Sequence, residues 1–214
     1  MHLLTKEEIL AGIQTDPYLE LFEENKAQAV VYDQLNGNVV TYCYPEYYTP
    51  LDLRERIHIA SVMPRQATID EDKLVDFLWR YVDHNTFVTL DSLWIVSRFE
   101  DYQYIADWYN DMSVYVIAQT GAKGFFWFTH RACIVDVPRI ISWIKDNLGM
   151  DAAFDRHLRE EILATILHEL RHQMLDATIV LPKETYPKEW GTEFFVERYA
   201  RELCDEINIH EIFR

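Results

Sequence analysis

Five consecutive residues carry the clearest chemistry in the chain: His168-Glu169-Leu170-Arg171-His172. In an α-helix, residues four apart lie on one face, separated by about one 5.4 Å turn. His168 and His172 on such a helix point the same way, and their imidazoles suit one shared tetrahedral zinc ion. Glu169 is rotated around the axis from the first histidine, where it reaches the open side of the metal and accepts a proton from water. Leu163, Ile166, Leu167, Leu170 and Met174 make an apolar stripe, whereas Glu161, Thr165, His168 and His172 share another face. The helix is expected to bury the first face and to line a cleft with the second. His157 is on the histidine side, eleven residues before His168. At 1.5 Å per residue it sits about 16 Å away, too far to bind the same ion. Arg171 reads as a solvated or salt-bridged residue.

A catalytic zinc ion takes three protein ligands and keeps one position open. Downstream, Glu193 and Glu197 are four apart and face the same way, and Val196, Ala200, Leu203 and Ile207 give their segment an apolar stripe. Glu193 is the expected third ligand, with Glu197, Asp176 and Glu189 as alternatives. Glu197 is placed to accept the other ring N–H of a ligating histidine, or else to pair with Arg201, four residues on. Cys204 reads as a buried structural thiol, and His84, His130 and His210 have no partner pattern.

With these residues the chain resembles the gluzincin branch of zinc metallopeptidases, in which HExxH on one helix is completed by a glutamate on a later helix. The later helix of those families often carries Glu-x-x-x-Asp. Here the matching run is Glu193-x-x-x-Glu197, 21 positions after His172, with Glu in the second place. The resemblance covers roughly residues 112–207. It implies an α+β, zincin-like domain: a small mixed sheet beside the HExxH helix, a C-terminal glutamate helix, and an edge strand that pairs with an extended substrate. Residues 125–135 are the candidate region for that strand. It also implies peptide-bond hydrolysis, with Glu169 passing the proton of a zinc-activated water to the leaving amine. A further residue then steadies the oxyanion; Tyr186 is the candidate, with His130 and Tyr199 as alternatives.

The elements that must position these residues follow from local patterns. A long helix is expected from about residue 151 or 155 to 176, and a last one over 192–207, joined by a connector that contains Pro182 and Pro187. Pro138 opens a helix that ends near Gly149. Residues 114–118 and 125–129 read as strands around a turn at 120–124, with a continuation of the second to 134–135. Further back, helices are expected over 5–24, 70–83 (Leu74, Phe77, Leu78 and Tyr81 on one stripe) and 100–111. A hairpin is expected at 29–32 and 39–42 around Asn36-Gly37. Residues 45–68, with Pro45, Pro50 and Pro64, read as mostly irregular. The expected organisation is an α/β N-terminal elaboration or subdomain over 1–111 and the zincin-like domain over 112–214.

Bulk properties narrow the function classes. The 214 residues are 49% hydrophobic and 26% charged, ordinary for a globular protein. The net charge of −16 disfavours binding to nucleic acid and to anionic membranes. No stretch of about 18 apolar residues occurs. Cys43, Cys133 and Cys204 are odd in number and far apart, which suits a reducing, cytoplasmic setting. The beginning of the chain reads as a capped helix entrance (Thr5 and Glu8), with no leader.

Two classes of function remain. One is a cytoplasmic zinc endopeptidase with one ion, acting on a protein or peptide, with residues 1–111 recognising a partner or regulating access. The other is a non-catalytic, zinc-stabilised protein-interaction module. Keeping Glu169 favours the first, because zinc binding alone does not need it. An acidic imitation of nucleic acid fits poorly with so many aromatic and apolar segments.

Overall fold

The computed structural model describes residues 28–33, 38–43, 49–82, 86–87, 90–177, 193–206 and 209–214. The β-rich runs beside Asn36-Gly37 form strands β1 (Gln28–Asp33) and β2 (Asn38–Cys43), paired antiparallel from Gln28↔Cys43 to Asp33↔Asn38. Their turn, and the helix expected over 5–24, lie outside the described residues.

The stretch expected to be irregular instead holds a helix, α1 (Pro50–Glu55), and a strand, β3 (Ile57–Ile59). Pro50 starts the helix because a first-turn residue needs no N–H donor. The Thr49 backbone N–H and hydroxyl both donate to the Asp52 carboxylate, at 2.6 and 2.7 Å. The next helix, α2 (Glu71–Tyr81), is capped by Asp70 and buries Leu74, Val75, Phe77 and Leu78, while Tyr81 at its end is exposed.

Residues 92–96, which received no assignment from the sequence, form the strand β4 (Ser92–Val96). They are followed by α3 (Asp101–Tyr109), which ends where Asn110 takes a left-handed conformation, and by α4 (Ser113–Ala118). The strand expected at 114–118 is therefore a helix. Val114 and Ala118, four apart, are buried, whereas Val116 between them is exposed. That is a helical burial pattern; the β-propensity of Val, Tyr and Ile is overridden by which face the core covers.

The expected strand at 125–129 with its extension divides into β5 (Gly124–Trp127) and β6 (Ala132–Asp136), joined through Phe128–His130 and a left-handed Arg131. Asp136 then accepts from the Arg139 backbone N–H at 2.9 Å and caps α5 (Val137–Asn147), with Pro138 in the first turn. Gly149 just beyond has φ +84°. The last two helices, α6 (Phe154–Ala177) and α7 (Glu193–Glu206), lie close to their expected bounds.

The main sheet has the order β3-β4-β6-β5. β3, β4 and β6 run parallel, and β5 is antiparallel to β6. Both of its faces are covered. Leu93, Ile95, Cys133 and Val135 point into the core that includes Leu158, Ile162, Leu163, Ile166, Leu167 and Leu170 of α6. Alternate residues, Val96, Ala132 and Ile134, face Tyr102, Ile105 and Val114 of α3 and α4. Burial on both faces explains why β6 is continuously apolar over Ala132 to Val135. β3 and β4 precede residue 112 and β5 and β6 follow it, so this sheet continues across that position. The fold is a mixed α/β arrangement around one small mixed sheet. No helix among the described residues is long and apolar enough to cross a membrane.

Candidate metal centre

The motif helix is buried on more sides than its apolar stripe requires. Leu163, Ile166, Leu167 and Leu170 lie in the core, and Val196 and Ala200 of α7 are also buried. On the other face Glu161, Thr165 and Glu169 are buried too, each about 5–6% exposed, and Gly124 of β5 lies against Thr165 and Glu169. Glycine permits this approach. A Cβ at that position would lie 2.6 Å from Thr165 Cγ2 and 2.9 Å from Glu169 Oε1.

His168 and His172 line a cleft of about 800 Å³ between β5 and α6. Glu169 and Thr165 share their wall; Lys123, Gly124, Phe125 and Phe126 form the opposite one, and Glu197 and Arg201 of α7 close a third side. Among the described residues β5 has a partner strand on one side only, so the edge strand beside the cleft is Gly124–Trp127.

The two imidazoles converge. Their ring centroids are 4.7 Å apart and their Nε2 atoms 3.0 Å apart. Two nitrogens bound to one tetrahedral zinc ion at 2.0–2.1 Å lie about 3.3 Å from each other, so the pair fits such an ion with little movement. His168 Nδ1 is 3.2 Å from Glu197 Oε2. A proton on Nδ1 donated to that carboxylate leaves Nε2 for a metal. Glu197 also takes a bond at Oε1 from Arg201 Nε, 2.8 Å away. The histidine contact and the Arg201 pair, alternatives from the sequence, thus coexist on one carboxylate. The His168 bond, reinforced by Arg201, holds the Glu197 carboxyl down to about 2 despite its partial burial.

Glu193 is the first residue of α7, one turn before Glu197. Its side chain lies outside the described residues, as do Tyr186, Glu189 and His84 and the side chains of Met174, Asp176 and His210. Among the described residues no group of three or more His, Cys, Asp or Glu side chains is placed to hold a metal ion.

Neither alternative oxyanion residue lines the cleft. His130 donates or accepts at 2.8 Å with Asp111 and lies against the Trp127 and Tyr109 rings. Tyr199 stacks under the Arg171 guanidinium at 5.2 Å. Arg171 itself is buried rather than solvated, because the motif helix has α7 on that side. His157 bonds Glu160 at 3.4 Å on its own helix.

Cys133 and Cys204, the cysteines among the described side chains, are not part of the cleft lining. Cys204 is buried, and burial pushes its thiol up to about 12. Burial, with the Glu169 carboxylate nearby, raises Cys133 as well. Sequence patterns did not single out Lys123 or Gly124, since their contacts with α6 link residues about 40 positions apart. The glycine just after a turn and before an aromatic run was the available signal.

Comparison with protein-family models, with curated proteins and with solved structures finds no match.

Proposed function

We propose that the chain is a zinc-dependent endopeptidase of the gluzincin type. The observation that carries this reading is the placement of His168 and His172, Nε2 atoms 3.0 Å apart, on one wall of a cleft whose other wall is a sheet edge. His168, His172 and Glu193 would hold the ion, with Glu197 orienting His168. A bound zinc ion supplies Lewis acidity toward a carbonyl and toward water.

The chain's own residues supply the rest. The edge of β5 that has no partner strand among the described residues offers backbone N–H and C=O groups to an extended peptide, the pairing used in strand addition. Phe125 and Phe126 give that strand apolar side chains at the cleft. Glu169, beside the histidines and largely shielded from solvent, takes the proton of the attacking water and delivers it to the leaving amine. Tyr186 is the proposed donor to the oxyanion. The substrate is a protein or peptide. Among the described residues Cys133 and Cys204 are buried free thiols, which suits activity in the reducing cytoplasm.

Metal removal tests the proposal. The purified chain should cleave an unfolded, fluorescently labelled protein, lose that activity on dialysis against a chelator, and regain it with one equivalent of zinc. Stoichiometric zinc without cleavage of any unfolded substrate would favour the zinc-stabilised interaction module instead.

A further inference from the structure

Glu161 is a carboxylate almost fully buried on α6, seven residues before His168 on the same face. Carboxylates are rarely buried unless paired. Glu161 is paired twice, with cations from two different elements. Lys123, just before β5, reaches its Oε2 at 2.9 Å and also lies 4.3 Å from the centre of the Trp143 ring. Arg201 of α7 binds its Oε1. Burial alone would raise the Glu161 carboxyl, but the bonds from Arg201 and Lys123 outweigh it and the net shift is downward.

The second arm of Arg201 goes to Glu197 Oε1, and Glu197 Oε2 faces His168 Nδ1. A continuous series of contacts therefore runs Glu161–Arg201–Glu197–His168. An Arg–Glu pair four apart on a partly exposed helix is weak and free to rearrange. Anchoring the guanidinium in a buried carboxylate on the neighbouring helix removes that freedom.

We propose that Glu161 is a positioning residue for the metal. It fixes Arg201, which fixes Glu197, which holds the His168 ring with Nε2 directed into the cleft, and so it sets how tightly the site binds zinc. The proposal rests on the zinc reading above. It differs from a helix-to-helix tie in one respect: the effect of Glu161 on metal must pass through Glu197.

The test measures zinc affinity of the full chain by chelator competition, with zinc as the sole ligand, for the native protein, Glu161→Gln, Glu197→Gln and the double variant. Circular dichroism confirms the fold of each. Groups that orient metal ligands typically contribute 10- to 100-fold in affinity. Glu161→Gln is expected to weaken zinc binding about tenfold in the native background and less than about twofold when Glu197 is already Gln. An unchanged affinity in the native background, or the same loss in both backgrounds, overturns the proposal. Arg201→Lys, which cannot bridge both carboxylates as a guanidinium does, should show the same dependence on Glu197 and serves if Glu161→Gln does not fold. A native chain that binds no zinc defeats the zinc reading and this proposal together; tight native binding with an unaffected Glu161→Gln defeats this proposal alone.

Discussion

Glu169→Gln is expected to leave a folded chain with its zinc retained and its proteolysis reduced about 10²- to 10⁴-fold, the range general acid–base catalysis contributes. The amide has nearly the volume of the carboxylate, so the tight space under Gly124 is still filled. The proposed ligands are untouched, so metal content should stay at one ion per chain. What disappears is a base able to take a proton from water, since a neutral amide has no useful basicity. Atomic absorption on the purified variant, read beside kcat/KM on a labelled unfolded protein, checks both halves. Equal loss of metal and activity would make Glu169 a ligand or a structural prop; full activity would remove it from the mechanism.

The second large effect is expected at a residue with no functional group. Gly124→Ala places a Cβ 2.6 Å from Thr165 Cγ2 and 2.9 Å from Glu169 Oε1, closer than real Cβ contacts come. Either β5 moves off α6 or the Glu169 side chain moves. Over-packing of this kind costs about 1–3 kcal/mol, a drop in Tm of about 2–4 °C per kcal/mol for a chain of this size. Activity should fall further than stability, because a displacement of about 1 Å at the chemistry costs about 10²-fold. Gly149→Ala is the control. Its left-handed φ makes alanine cost about 1–2 kcal/mol, but nothing lies within 4 Å of the added Cβ. Both variants should melt earlier, and only Gly124→Ala should lose cleavage. Native kcat/KM in Gly124→Ala would separate β5 from the working site.

These residues show which parts of the structure could be read from the chain. The bounds of α6 and α7, the start of α5 near Pro138 and the pairing of β1 with β2 follow from apolar patterning, proline placement and β-rich runs beside Asn36-Gly37, which are local signals. The approach of His168 to Glu197 was foreseeable too, because helical spacing limits what two four-residue steps can present. α4 was misread because Val-Tyr-Val-Ile satisfies strand propensity, while the decision lay with the core that covers Val114 and Ala118. β4 was missed because a short apolar run, Leu93 to Val96, has no periodicity of its own when both faces are buried. Glu161 stood out on the histidine face, yet its partners Lys123 and Arg201 are about 40 residues away on either side. No local pattern carries that information. The burial of Thr165 and Glu169 beneath β5 depends on a single absent side chain at Gly124.

The zinc proposal requires His168 and His172 to hold one ion in the cleft between α6 and β5. Its most direct measurement is metal stoichiometry after exhaustive dialysis, for the native chain and for His168→Ala and His172→Ala, each with its fold verified by circular dichroism. One zinc per native chain and none retained by either variant is the expected result. Zinc retained at one per chain in both variants, or absent from the native protein, would contradict it.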